Sequence, residues 1–297
     1  SSLLFSTYIR VDPNTMSGFE PTATVVSSDL LPFTEDKYDG VIVSSKSLPD
    51  TDENFERMLD HSLEEWRKTN RRGVWIKVPL EKSSFIPIAV RKGFTFHHAE
   101  KQYVMLTHWL AEGESRLPPN ASHQVGVGCI VLHEGKMLLV QEKSGPLKGT
   151  GVWKMPTGLV DVGEDISTGA EREVFEETGV RTRFKKLLAF RQVHVVLFGK
   201  SDLFFICVLE PLTFDITPQE AEIQACEWKE PETLLDSEFY MKSSVYAFLH
   251  NNMRREVLSA QGKATPPPSM VKTKLPLGFR PGDASLYFFD QDEEISK

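Results

Sequence analysis

Glu173, Glu176 and Glu177 stand at i, i+3 and i+4 of a segment with helical periodicity, which puts three carboxylates on one helix face less than a turn apart. Like charges so placed repel. A divalent cation converts that repulsion into a binding site, and hard carboxylate oxygens suit Mg²⁺ or Mn²⁺. Glu164, in the loop ahead of the helix, can approach the same space, and Arg172 can pair with a glutamate and hold its rotamer. Gly158 admits a backbone turn that a Cβ would obstruct, and Gly179 stands where the glycine after a helix belongs. Cations bound to such a cluster neutralise phosphate oxygens, orient a water in line with one phosphorus and stabilise the leaving phosphate, while a further carboxylate takes the water's proton. That chemistry is diphosphate hydrolysis. A solvated acidic helix face is the bland account of any E-x-x-E-E, and the spacing of the surrounding residues decides against it.

Gly158, Glu164, Arg172, Glu173, Val174, Glu176, Glu177, Gly179 and Val180 follow the pattern G-x5-E-x7-R-E-U-x-E-E-x-G-U, with U aliphatic. The pattern resembles the complete Nudix signature, and on it the sequence is identified as a member of the Nudix hydrolase family. The resemblance implies a nucleoside diphosphate linked to another group X as small-molecule substrate. It implies a metal set of Glu173, Glu177 and Glu176 beside Gly158, with Glu176 and Glu164 as further ligand or base and Arg172 orienting them. Relatives recruit a later acidic residue from a loop before a late strand, which points to Glu222, with Glu220 behind it. Thr157 stands where many members carry Gly.

Further stretches, among them Gly73-Val74-Trp75-Ile76-Lys77-Val78-Pro79, Phe96-His97-His98-Ala99-Glu100 and Gly199-Lys200-Ser201-Asp202-Leu203-Phe204-Phe205, are similar to a long plant-type branch that includes the animal fibroblast-growth-factor antisense Nudix protein. The tail at Ser285-Leu286-Tyr287 looks most like the chloroplast-type member. This likeness implies ADP-ribose or NADH as substrate, a homodimer, and an intracellular location in the chloroplast or otherwise the cytoplasm. Lys154, Arg191 and Lys200 flank the expected pocket and can reach substrate phosphates. Trp153, Phe190 and Phe198 can stack on an adenine, although each aromatic taken singly is more often core. The adjacent His97 and His98 point apart in an extended chain, and no third ligand is spaced for a metal site. The alternative reading is a catalytically weak binding or regulatory protein on a Nudix scaffold, whose first domain meets a partner; the complete glutamate set favours the enzyme.

These groups need a scaffold. A helix at about 167–178 carries the glutamates, with strands at 125–132 and 137–141 before it, joined through His133-Glu134-Gly135-Lys136, and strands near 186–193, 202–209 and 225–229 after it. A last helix is expected over 243–258. Upstream, Phe55, Met58, Leu59, Leu63 and Trp66 recur at helical spacing, with Asp52 or Asn54 as cap, between strands at 41–43 and 74–78; a short helix to Arg91 and a strand over 103–110 follow. The expected fold is α/β (α+β): a Nudix α-β-α sandwich with a mixed sheet, preceded by a small α/β domain. The divisions are a flexible arm over 1–35, an N-terminal α/β domain over 36–118, the Nudix domain over 119–260, and a tail over 261–297 with prolines and a candidate edge strand at Leu286-Tyr287-Phe288-Phe289.

The 297 residues carry 34 Lys and Arg against 42 Asp and Glu, a net charge of −8, without the basic footprint of a duplex nucleic-acid binder. No apolar run reaches a membrane span, so neither nucleic acid nor membrane is an expected partner. Cys129, Cys207 and Cys226 are too scattered for a disulfide framework and read as buried core in a reducing compartment. Trp66, Trp75 and Trp109 together exceed what a small first domain readily buries, which supports pairing of subunits.

Overall fold

The computed structural model describes residues 29–276 and 282–289 and divides the chain into two compact units, Ser1–Ala121 and Ser122–Lys297. Residues 1–28, most of the expected arm, lie outside the described residues. The arm's last residues are built into the first unit: Leu31 is fully buried, its backbone N–H donates to Ser62 Oγ at 2.8 Å, and β1 (Thr34–Glu35) pairs with β2 (Val41–Val43). The lack of periodicity there hid a short edge strand held by contacts far along the chain.

In that unit, α1 (Asp52–Lys68), β3 (Gly73–Pro79), α2 (Phe85–Arg91), β4 (Thr95–Glu100) and β5 (Tyr103–Trp109) complete a sheet ordered β1-β2-β3-β5-β4. The sheet is mixed, with β2 and β3 parallel. The expected spacing of α1 buries Phe55, Leu59, Leu63 and Trp66. The cap is Thr51, whose side chain accepts from Asn54 N at 3.3 Å; Asp52 and Asn54 lie within the first turn. Trp66 is 1% exposed, with the Phe33 ring edge-on at 5.6 Å, so it supplies no surface for another subunit. Trp75 and Trp109 remain half-buried. His97 and His98 do not point apart. A register shift in the β4–β5 ladder between Phe96 and His98 brings their Nδ1 atoms within 2.7 Å, and their outer nitrogens meet Pro118 O and Tyr103 Oη, a structural role.

The second unit runs β6 (His123–His133), β7 (Lys136–Glu142), β8 (Thr157–Leu159), α3 (Ile166–Thr178), β9 (Thr182–Leu197), β10 (Lys200–Pro211), β11 (Ile223–Lys229), α4 (Glu232–Leu235), α5 (Glu238–Met241), α6 (Ser244–Ala260), β12 (Met270–Pro276) and β13 (Asp283–Phe289). Its sheet has the order β11-β7-β6-β10-β9-β12-β13, with β8 on β6 and the β6–β10 pair parallel. Alternation along β6 sorts two cores: Val127, Cys129 and Val131 face Ala170 and Val174 of α3, whereas Ile130 faces Leu249, Met253 and Val257 of α6. Helices on both faces of a mixed sheet make the α-β-α sandwich. Glu134 and Gly135 turn β6 into β7 with positive φ at both residues, and Phe198 and Gly199 do the same between β9 and β10. All three cysteines are buried and unpaired, with burial pushing the Cys207 and Cys226 thiols up to about 12.

Candidate active site

Helix α3 gains its place from one apolar stripe. Ala170 and Val174 are fully buried, and Glu177, three residues on, continues that stripe and is only 6% exposed. Gly179 ends the helix in the left-handed conformation (φ 74°), and Thr217 N donates to Thr178 O at 2.8 Å beyond it. Glu173 flanks the stripe, while Arg172 and Glu176 lie further out.

Arg172 binds more than the single glutamate expected of it. Its Nε and Nη2 grip both oxygens of Glu164 at 3.0 and 2.9 Å, Nη1 donates to Glu173 at 2.8 Å and Glu176 at 2.9 Å, and Nη2 also donates to Leu159 O at 2.8 Å. One guanidinium thus gathers three carboxylates and the end of β8. Its hydrogen bonds hold the Glu164 carboxyl below the usual range. Glu173 is raised in spite of the same partner, because desolvation outweighs the pairing. Glu177 is pushed up to about 7, chiefly by burial.

Gly158 sits in extended β8 opposite Val127, without the special turn anticipated for it. The reason for glycine is proximity: a Cβ there would lie 1.9 Å from Glu173 Cδ. The carboxylate of Glu173 fills the place a side chain would take. Gly169 meets Val160 and Glu164 of the loop before α3.

Lys154 was expected to reach toward substrate, yet it is buried. An isolated antiparallel bridge to Val140 lays it beside β7, where its Nζ lies 2.7 Å from Glu142, donates to Thr157 Oγ1 at 2.7 Å, and stands 3.9 Å from Glu177. Its charge stands against Glu142 and Glu177. Glu142 is the site residue that the motif does not contain; its one signal is its place two residues beyond Val140 on the same strand face. Thr157 enters through that same network, and its backbone N–H donates to Glu177 at 3.3 Å.

The other expected residues have contacts of their own. Glu222 is exposed, its carbonyl accepting from Lys143 N at 2.7 Å, and among the described residues it makes no bond with the four glutamates. It does precede Ile223, which pairs with Glu142. Arg191 pairs with Asp202 at 3.3 Å and lies 4.9 Å over the Phe204 ring, which fills the space left by Gly126 and Gly128. Phe198 is at the tip of the β9–β10 hairpin, 89% exposed, with Lys200 opening the next strand; among the described residues no aromatic ring stacks on it. Phe190 stacks on Phe205 at 5.4 Å, and Trp153 lies under Lys229.

Among the described residues no three acidic, His or Cys groups converge as a ready-made metal cage, because Arg172 stands among Glu164, Glu173 and Glu176. The residues nevertheless fit a divalent cation. Glu173 and Glu177 offer hard oxygens that burial leaves poorly compensated, and the cradle at Gly158 holds one of them in place.

A model described as Nudix hydrolase domain matches residues 31–110, and a NUDIX domain model matches residues 122–251. Nudix hydrolase 2 of Arabidopsis thaliana is 44% identical over 234 residues, 78% of this chain and 84% of that protein. Nudix hydrolase 8 of the same plant is 51% identical over 209 residues, 70% of this chain and 57% of that one. Nucleoside diphosphate-linked moiety X motif 6 of Homo sapiens is 44% identical over 188 residues, 62% of this chain and 58% of that one. The chain belongs to the Nudix hydrolase family, hydrolases that act on pyrophosphate bonds of small nucleotide substrates. Within the family it is of the plant type with an N-terminal extension. No helix among the described residues is long and apolar enough to cross a membrane.

Proposed function

We propose that this chain hydrolyses the diphosphate linkage of ADP-ribose or NADH with Mg²⁺ or Mn²⁺ held by Glu173, Glu177 and Glu176 beside Gly158. The observation that carries the reading is the pair of carboxylates that α3 sets against β8: partly buried Glu173, in the space of the Cβ that Gly158 lacks, and buried Glu177, which accepts from Thr157 N. A bound divalent ion supplies neutralisation of the diphosphate oxygens and a water placed for attack on phosphorus. The chain's own groups do the rest. Glu173 and Glu177 present oxygens from a rigid helix face; Arg172 keeps Glu164 and Glu173 in fixed rotamers. A carboxylate must accept the water's proton as the new P–O bond forms and the bridging P–O bond breaks. Among the described residues Arg172 grips both oxygens of Glu164 but only one of Glu176, so we assign the proton to Glu176.

The test is a panel of ADP-ribose, NADH, NADPH, FAD, CoA and ADP-glucose with Mg²⁺ and with Mn²⁺, reading phosphate-containing products. AMP released from ADP-ribose or from NADH is expected. Turnover confined to other members of the panel overturns the substrate assignment, and no turnover of any overturns the reaction.

The branch resemblance also supports a homodimer, although Trp66 no longer contributes to that argument. Light scattering at micromolar concentration is expected to give twice the 33.6 kDa chain mass, and 33.6 kDa itself overturns the dimer.

A further inference from the structure

Asp165 precedes α3 where an Asp side chain ordinarily accepts from the amides of the first turn. Its backbone has the extended conformation of a cap (φ −73°, ψ 145°), yet its side chain makes no capping bond. The C-terminal hairpin has taken that carboxylate. From β12, Lys272 Nζ donates to Asp165 Oδ2 at 2.9 Å and Lys274 Nζ lies 3.3 Å from the same oxygen; Lys272 also donates to Ser167 Oγ at 2.5 Å. The Ser167 backbone N–H, deprived of a local acceptor, donates to Tyr287 Oη of β13 at 3.2 Å, across 120 residues of sequence. Tyr287 is seated against the same core as α3, edge-on to Phe184 at 6.1 Å. β12 and β13 pair from Met270↔Phe289 to Pro276↔Asp283, and β12 reaches the sheet through Met270↔Leu187.

A helix of 13 residues is too short to sustain itself in water, so α3 depends on its buried stripe and, at its termini, on what holds its ends. Its C-terminus is held by Gly179 and the Thr217 bond; its N-terminus is held by the tail. Glu173 lies less than two turns from Ser167, within reach of any fraying that starts there. We propose that Lys272 and Tyr287 are positioning residues for hydrolysis: the C-terminal hairpin supplies the cap that α3 lacks and thereby sets where Glu173, Glu176 and Glu177 stand. The inference rests on the hydrolase reading above and extends it to a segment outside the Nudix signature.

Tyr287→Phe keeps the ring in the core and removes only the acceptor; Lys272→Met removes the donor, and Lys272→Arg restores one. In the full chain, Tyr287→Phe is expected to speed amide hydrogen exchange over residues 166–169 by about fivefold, the effect of losing one helix cap. It is also expected to weaken Mn²⁺ binding, read by electron paramagnetic resonance titration, and to lower kcat with KM unchanged. Lys272→Met should repeat these effects and Lys272→Arg should recover them. If Tyr287→Phe does not fold, the two Lys272 variants decide. Unchanged exchange overturns the proposal, and so does faster exchange with Mn²⁺ affinity and kcat both unchanged, which would leave the hairpin a brace without influence on the site. A wild type inactive on every diphosphate overturns the hydrolase reading instead, while exchange and Mn²⁺ affinity still judge the hairpin.

Discussion

Glu177→Gln is expected to lower kcat by about 10²-fold or more while the fold stays intact, because it removes charge from a metal-binding position without removing volume. Glu177 is 6% exposed and continues the Ala170–Val174 stripe, so an amide of the same shape is accommodated by the same packing. The bond from Thr157 N at 3.3 Å survives, since the amide oxygen accepts as the carboxylate did. Lys154 also keeps Glu142 and Thr157 as partners. Rates measured beside circular dichroism separate the outcomes: a folded Glu177→Gln with undiminished turnover overturns the metal assignment. Glu176→Gln is expected to lose a comparable factor through the proton-accepting step.

The second large effect is the coupling of metal to stability. A cation at 100 times its Kd should add about 2.7 kcal/mol to the wild type if it binds only the native state, and nothing to a variant with Glu173 and Glu177 both changed to Gln. Without metal the order reverses. Arg172 pairs with Glu164, Glu173 and Glu176, and Lys154 with Glu142 and Glu177, but at Glu173 and Glu177 desolvation outweighs the pairing, so the remaining cost falls on these two, whose carboxyls burial raises. Removing their charge should lift the metal-free Tm above that of the wild type. The sign with pH follows from Glu177, raised to about 7 in the folded chain against about 4.3 when unfolded. Between those values the native state holds a proton that the unfolded chain has released, so this group's contribution to stability falls as pH rises through the window. The metal-free margin of the double variant over wild type should therefore widen from about pH 5 to about pH 8. Melting curves with chelator and with Mg²⁺ check this, and equal metal-induced shifts in both proteins would place the cation elsewhere.

Much of the machinery is legible in the chain because it is local. Glu173, Glu176 and Glu177 share a face by helical spacing alone, Gly179 stops the helix by its own backbone freedom, and the alternation of β6 and the Glu134-Gly135 turn need only neighbours in sequence. What depends on the meeting of distant segments was misread or unseen. Lys154 reads as a cation flanking the pocket, and only its bridge to Val140 shows it between Glu142 and Glu177, where ammonium and carboxylates are buried together. Gly158 reads as a turn until the Glu173 carboxylate is found in the space of its missing Cβ. The paired histidines read as diverging until a slip in the β4–β5 register turns them together. The end of α3 gives no sign in the sequence that Lys272 takes the Asp165 carboxylate and that Tyr287 accepts from Ser167 N. The sequence by itself determined which groups could do the chemistry, because type and spacing along one helix suffice for that; only the tertiary structure decided which charges are compensated, desolvated or held, because those properties belong to whatever the fold brings alongside.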